Sequence, residues 1–174
     1  MIDIFDNVLE NHVAELIFMQ MSEVSWKYDY KSQKGEPNNH WHVLCGHDNE
    51  EVKERGYEWL LPIWDTSFLK YNFKEKYDID NYVRLYMNAH THGIEPHLHI
   101  DDGDFTMIYY PRLDWKTTWR GGTMVDGRLV PYVGNRLIVF DAKLPHQAQS
   151  VSRECYELRS VVVFKTEVTG KEKE

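Results

Sequence analysis

The chain has 174 residues, of which 42% are hydrophobic and 14% aromatic, and its formal net charge is -8 at pH 7. This length supports one well-buried domain, and the apolar content excludes a largely disordered protein. The negative charge disfavours nucleic acid as a partner, because non-specific affinity for phosphates comes mainly from Lys and Arg.

The sequence has no feature of a secreted or membrane protein. Residues 1–6 lack the basic and apolar regions of a signal peptide, and no apolar run approaches the roughly 20 residues that span a bilayer. Cys45 and Cys155 are the only cysteines, which argues against a disulfide framework. We therefore expect a soluble, cytoplasmic protein with no membrane partner. The sequence leaves the oligomeric state open.

The N-terminal part is predicted to be helical, with one long loop. Apolar residues recur at three- and four-residue spacing from Phe5 to about Ser25, which predicts an amphipathic helix. Residues 29–48 show no period and predict a loop. A second helix is expected from about Asp48 to Leu69, with a break at Pro62.

Beyond Asp80 the pattern predicts strands. Short runs rich in β-branched and aromatic residues alternate with Gly, Asp, Asn and Pro clusters. The expected strands are 82–88, 97–101, 105–110, 122–125, 129–132, 136–140, 146–151 and 157–166. Such a pattern favours a mainly β fold with N-terminal helices, a double-stranded β-helix or cupin-like jelly-roll barrel braced by helices. We expect one domain over 1–174, with helical support and a loop in 1–79 and a catalytic jelly-roll core in 80–166. The tail from Gly170 is expected to fray.

The segment His90–Asp101 concentrates side chains that bind metals. His99 and Asp101 are two positions apart on a predicted strand, so they point to the same side. His146 follows on a later loop-to-strand junction and has ample chain to return beside them. Two His and one carboxylate on one face of a metal form the arrangement that selects non-haem iron(II) for oxygen chemistry.

Arg159 opens a run of β-branched residues that predicts a buried strand. A buried Arg is costly unless it is paired, and its planar fork suits a carboxylate. The partner could be the carboxylate of a bound molecule or a buried Asp or Glu of the chain.

These motifs resemble the signature of the 2-oxoglutarate and iron(II)-dependent dioxygenases, in particular the prolyl 4-hydroxylase-like branch. The resemblance covers roughly residues 80 to 166 and is carried by His99-Ile100-Asp101, His146, Arg159-Ser160-Val161, Ile108-Tyr109-Tyr110, Trp115, Gly121-Gly122-Thr123 and Gly134-Asn135 to Phe140. The spacing from His146 to Arg159 is longer than is common in that family, which implies an extra turn around Glu154–Tyr156 and leaves Arg153 as a second, less favoured anchor.

The resemblance implies roles for individual residues. His99, Asp101 and His146 would bind catalytic iron(II), and Arg159 would pair with the distal carboxylate of 2-oxoglutarate. Tyr110 would add a hydrogen bond to that carboxylate, and Tyr86 would line the same pocket. O2 would be the second co-substrate, and ascorbate is left open as an accessory reductant. The implied activity is hydroxylation of an unactivated C–H bond, with a prolyl residue in a peptide or protein favoured as substrate. A small molecule such as a free amino acid, or a non-catalytic metal- or ligand-binding module, is the alternative.

Several residues near these motifs have simpler explanations. His90, His92 and His97 lie in or beside a predicted loop and are expected to be solvated or bonded to backbone rather than to bind metal. Tyr110 and Tyr86 could be packed aromatic residues. The segment Asn38–His42 could form the rim of a substrate channel or pack Trp41 on the barrel.

Overall fold

A computed structural model describes residues 1–32, 35 and 39–170. Its strands are β1 (Ile2–Asp6), β2 (Lys27–Tyr30), β3 (His40–Gly46), β4 (Tyr82–His90), β5 (Phe105–Tyr110), β6 (Thr123–Val125), β7 (Arg128–Val130), β8 (Arg136–Asp141), β9 (His146–Ala148) and β10 (Arg159–Thr166). Its α-helices are α1 (Asn11–Ser22), α2 (Asn49–Glu54), α3 (Leu61–Lys70) and α4 (Phe73–Tyr77), with 3-10 turns at Glu58–Leu60 and Thr117–Trp119.

The strands form two antiparallel sheets. Within the described residues, the larger sheet has seven strands in the order β1-β8-β5-β10-β4-β3-β2, and the smaller has three in the order β7-β6-β9. Non-consecutive neighbours such as β5, β10 and β4 show that the chain crosses between sheets rather than forming a simple meander. The predicted mainly β jelly-roll fold with supporting helices is confirmed.

Side chains alternate between the two faces of each strand, and the buried residues accordingly form two clusters. On β10, Val162 and Phe164 pack in the cluster that contains the helices, whereas Val161 and Val163 pack in the cluster that lines the barrel interior. All eight residues of β10 are buried, because one face meets helices and the other meets the barrel. Arg159 and Lys165 share the parity of Val161 and Val163, so β10 directs two cationic side chains toward the barrel interior.

The prediction of a helix from Phe5 was wrong in its first turns. Residues 2–6 form β1, which pairs along β8 from Ile2 opposite Phe140 to Asp6 opposite Arg136. α1 begins only at Asn11. The apolar spacing of residues 5–9 fits both a helix and an edge strand, and pairing with β8 selects the strand.

The prediction of a loop over residues 29–48 was also wrong. β2 and β3 occupy much of it and extend the large sheet beyond β4. β2 consists of charged residues and Tyr, and apart from Trp41 the apolar residues of β3 are the short run Val43–Cys45, so neither strand shows a clear apolar alternation. Asn38, from the predicted rim segment, lies outside the described residues. In the same segment Trp41 packs its ring on Tyr28, with the ring centroids 4.8 Å apart.

The second predicted helix is divided into α2, a 3-10 turn and α3. The break falls after Arg55, at Gly56 with φ 78°, and not at Pro62, which occupies the first turn of α3. Asp48 caps α2 by accepting hydrogen bonds from the backbone N–H groups of Glu50 and Glu51. α4 was not predicted. No helix among the described residues has the length and apolarity needed to cross a bilayer.

Most strand boundaries in the C-terminal half lie within two residues of the predicted ones. The exceptions are the strand predicted over 97–101, which shrinks to a single bridge at His99, and the strand predicted to reach 151, which ends at Ala148. Both exceptions border the cavity described next, where the backbone departs from regular pairing.

Candidate metal centre and anion pocket

The segment around His99 is held by backbone hydrogen bonds to the first residue of β9 and to the turn before it. The N–H of His99 donates to the carbonyl of His146 over 3.0 Å, and the N–H of His146 donates back over 2.8 Å. The N–H of Asp101 donates to the carbonyl of Ala142 over 2.8 Å. This short antiparallel contact places the three predicted metal ligands at one end of the barrel interior.

The two histidines are oriented by the backbone. Nδ1 of His99 contacts the carbonyl oxygen of His97 at 2.8 Å, and Nδ1 of His146 contacts that of Leu144 at 2.9 Å. A carbonyl oxygen only accepts, so each Nδ1 carries the proton and each neutral ring keeps its Nε2 lone pair for a ligand. Burial lowers the pKa of His146, which favours this neutral form.

The Nε2 atoms converge on Asp101. Nε2 of His146 lies 3.0 Å from Oδ2 of Asp101, and Nε2 of His99 lies 3.8 Å from Oδ1. The three candidate ligand atoms all lie within 4.8 Å of one another. Two imidazole nitrogens and a carboxylate oxygen at this separation fit one divalent transition metal, and hydrogen-bonded Nδ1 groups are the usual outer support of His ligands.

Asp101 also contacts two residues that were not predicted to belong to the site. The hydroxyl of Thr106 donates to Oδ2 over 2.7 Å, and the ammonium of Lys165 forms an ion pair with the same oxygen. Lys165 in turn donates to Thr106 over 3.0 Å. Lys165 is 1% exposed, so Asp101 and Thr106 supply the polar contacts that its burial requires.

Arg159 lies in the same cavity as the triad and is 2% exposed. Its Nε donates to the carbonyl of Gly121 over 2.7 Å, and its Nη2 donates to the carbonyl of Gly122 and the hydroxyl of Thr123, each over 3.3 Å. Burial lowers its pKa, and the described residues place no carboxylate within ion-pair distance. The predicted alternative, a structural ion pair with an Asp or Glu, is therefore not observed in the described chain.

The other predicted anchor, Arg153, is exposed to solvent. A turn precedes Arg159, with the N–H of Cys155 donating to the carbonyl of Ser152 over 3.1 Å. This turn takes up the additional residues between His146 and β10. Arg159 is thus the Arg that the fold places in the cavity.

The two predicted tyrosines occupy different positions. Tyr86 lines the cavity, with its ring centroid 5.3 Å from that of His42, and burial raises its pKa. Tyr110 is fully buried and does not line the cavity, and its hydroxyl is 2.7 Å from that of Thr123. Thr123 lines the cavity and accepts from Arg159, so Tyr110 reaches the pocket through Thr123. Its direct contact with a ligand stays a prediction.

The cavity also contains polar residues that were not predicted to belong to it. His40 and His90 line it, although His90 was expected to be solvated or bonded to backbone. Asn88 and Asn39 line it as well. Alternation along β4 could have indicated Asn88 and His90, which share the parity of Tyr86, whereas β3 had no recognisable period.

Comparison with known proteins finds similarity in structure and not in sequence. A scan against protein-family models gives no match, and neither does a search of curated proteins. Among solved structures, a Trichoplax adhaerens prolyl hydroxylase in complex with a peptide of the hypoxia inducible factor oxygen degradation domain matches at 15% identity and a TM-score of 0.66. That match covers 95% of this chain and 83% of that one.

Two further solved structures contain bound small molecules. A viral collagen prolyl hydroxylase from Paramecium Bursaria Chlorella virus-1, in complex with 2-oxoglutarate, matches at 13% identity and a TM-score of 0.62, covering 96% of both chains. HygX from Streptomyces hygroscopicus, with nickel and 2-oxoglutarate bound, matches at 9% identity and a TM-score of 0.65, covering 97% of this chain and 83% of that one. At these identities the likeness establishes a shared fold, the one on which the 2-oxoglutarate and iron(II) oxygenases are built.

Proposed function

We propose that this protein is a 2-oxoglutarate- and iron(II)-dependent dioxygenase. The observation that carries the proposal is one cavity that contains both the His99, Asp101 and His146 triad and the buried guanidinium of Arg159. The triad fits a metal, and a buried cation with no carboxylate among the described residues fits an anionic ligand. The fold shared with a viral collagen prolyl hydroxylase and with HygX, both solved with 2-oxoglutarate, supports the identification.

Each residue has a defined part in this proposal. His99, Asp101 and His146 would hold iron(II), and Arg159 would hold the distal carboxylate of 2-oxoglutarate. Bound iron and 2-oxoglutarate supply the oxidative chemistry, in which O2 gives one oxygen atom to succinate and the other to the substrate C–H bond, with release of CO2. The chain orients both groups, through the carbonyls that fix the His rings and the carbonyls that fix Arg159.

The substrate proposed is a prolyl residue in a peptide or protein. The order of the motifs and the shared fold with prolyl hydroxylases, one of them solved with a peptide, support this choice. A small-molecule substrate for the same chemistry is the alternative. A peptide-library incubation with iron(II), 2-oxoglutarate and ascorbate, analysed by mass spectrometry for the gain of one oxygen, separates them. Modification of free amino acids and of no peptide would contradict the peptide assignment.

Anaerobic titration tests the chemistry without knowledge of the substrate. Addition of iron(II) and 2-oxoglutarate is expected to produce a visible charge-transfer band, and His99→Ala is expected to abolish it by removing one of three ligands. His92→Ala is the matched control, because His92 is exposed and belongs to the same segment. A full band in His99→Ala, or none in the wild-type protein, contradicts the proposed function.

A further inference from the structure

His40, His90 and Arg159 form a row across three neighbouring strands. Arg159 on β10 is the direct Cα partner of His90 on β4. The pairing of Trp41 with Ala89 places His40 on β3 beside His90, and the two imidazole rings stack with centroids 5.1 Å apart. All three side chains line the cavity that contains the triad. Any group bound at the guanidinium therefore lies next to the imidazole of His90.

The two imidazoles are buried and have unused ring nitrogens. His40 is 5% exposed and His90 7% exposed. Nε2 of His40 and Nδ1 of His90 have no hydrogen-bond partner among the described residues. A buried polar atom without a partner costs free energy, so it is expected to meet a ligand when the cavity is filled.

Both rings are neutral near pH 7. Burial lowers the pKa of His40 to about 4, and the charge of His42 acts in the same direction while Asn88 opposes it. Burial also places the pKa of His90 well below its usual range, and the charge of Arg159 contributes. A neutral imidazole has one N–H donor and one acceptor, so His90 can donate to an anion beside Arg159.

Two of the three guanidinium nitrogens of Arg159 already donate hydrogen bonds within the protein. Nε donates to Gly121, and Nη2 donates to Gly122 and Thr123. Among the described residues, Nη1 remains as the main donor for a ligand. Because Nε already donates to Gly121, a carboxylate cannot form the usual two parallel hydrogen bonds to Nε and a terminal nitrogen. Its second oxygen needs a donor from another side chain, and His90 is the neighbouring residue with an unused ring nitrogen.

We propose that His90 donates a hydrogen bond to the ligand carboxylate held by Arg159, and that His40 is a positioning residue that fixes the His90 ring by stacking. This inference rests on the proposed function, since the ligand there is the distal carboxylate of 2-oxoglutarate. It adds a neutral donor to the anion pocket. The pocket then recognises a carboxylate through one charged and one uncharged group, which belong to adjacent strands of one rigid sheet.

The test is an anaerobic titration of the iron(II)-loaded protein with two keto acids. 2-Oxoglutarate has the distal carboxylate, and 2-oxovalerate has the same chain length with a methyl end instead. His90→Phe is expected to weaken 2-oxoglutarate binding roughly tenfold, the effect of losing one hydrogen bond to a charged group, with 2-oxovalerate binding unchanged. His90→Gln, which restores an N–H donor, is expected to recover most of the affinity.

Controls separate this role from simple packing. His92→Phe changes an exposed His of the same segment and is expected to bind both keto acids as the wild-type protein does. His40→Phe keeps an aromatic ring for stacking and is expected to lose less than threefold, whereas His40→Ala is expected to lose more. Iron(II) affinity without a keto acid should not differ among these variants.

Two results would overturn the inference. One is unchanged 2-oxoglutarate affinity in His90→Phe, and the other is an equal loss for both keto acids, which would indicate a distorted cavity. Failure of the wild-type protein to form the charge-transfer band would instead overturn the proposed function, so the two failures are distinguishable.

Discussion

Lys165 and the proposed metal would share one carboxylate. The Lys165 ammonium pairs with Oδ2 of Asp101, the same oxygen that faces Nε2 of His146. Burial lowers the pKa of Lys165 to about 6, whereas the contact with the Asp101 carboxylate favours the charged form, so the carboxylate has a cationic partner within the chain itself. A divalent ion bound by the triad would meet this resident cation at short range, and two positive charges on one carboxylate repel each other.

We predict that Lys165→Met raises metal affinity and destabilises the metal-free protein. Removing the ammonium leaves Asp101 without its cation, which should lower the free energy of unfolding by roughly 2–4 kcal/mol. A metal would then restore the charge balance and bind about tenfold more tightly, because it no longer competes with Lys165. Thermal unfolding with and without Co(II) measures both effects.

Thr106→Val is the control for this prediction, since it removes a neutral donor from the same carboxylate oxygen. It should not tighten metal binding. Weaker metal binding in Lys165→Met would show that the ammonium orients Asp101 and does not compete with the metal.

At the level of elements, Asn135 joins the β5–β8 pair to the N-terminal segment. It has φ 62° and is 1% exposed. Its Oδ1 accepts from the N–H of Leu9 over 2.9 Å and from the hydroxyl of Tyr109 over 3.0 Å, and its Nδ2 donates to the carbonyl of Leu9 over 2.7 Å. These bonds fix the chain between β1 and α1. They help to explain why the helix starts at Asn11 and not at Phe5.

Asn135→Ala is therefore predicted to lower the free energy of unfolding by roughly 3 kcal/mol. The substitution leaves two buried backbone groups of Leu9 without partners. It also places Ala, whose side chain cannot form hydrogen bonds, in a left-handed backbone conformation. Urea unfolding measures the loss. Asn135→Gly keeps the conformation accessible and should recover only the part due to strain, about 1 kcal/mol. Losses below 0.5 kcal/mol in both variants would contradict this role.

For the whole molecule, the buried imidazoles link stability to pH. The pKa of His40 is lowered from 6.5 to about 4 in the folded chain, by burial first and then by His42, with His99 and Arg159 contributing. Between these values the unfolded chain binds a proton that the folded chain excludes. The stability is therefore fully present above pH 6.5 and is lost progressively as the pH falls toward 4.

We predict that this loss reaches about 3 kcal/mol for His40 between pH 7 and pH 4, with His90 adding to it. Urea unfolding of the metal-free protein at several pH values measures it. His40→Phe should flatten the profile between pH 6.5 and pH 4, because its side chain does not titrate. An unchanged slope in that variant would show that His40 is protonated as easily in the folded chain as in the unfolded one.

The sequence by itself determined the features that depend on local spacing. The two-residue spacing of His99 and Asp101 predicts that they share a side, and the structure keeps them together although only His99 forms a strand bridge. A cation inside a run of β-branched residues marks Arg159 as a buried charge in need of a partner. Beyond Asp80, runs of β-branched and aromatic residues separated by turn residues predict the mainly β class and most strands. These features depend only on residues that are close together in the chain.

The tertiary structure decided which distant groups meet. Pairing of β10 with β4 sets His90 against Arg159, and the barrel interior brings Lys165 to Asp101. A side-chain contact between the two sheets places Thr123 of β6 between Tyr110 of β5 and the cavity. β1 is a strand because β8 offers it an edge, and not because of its own pattern. These contacts depend on strand pairing and on the packing of the two sheets, which are decided by the fold as a whole and not by any local segment.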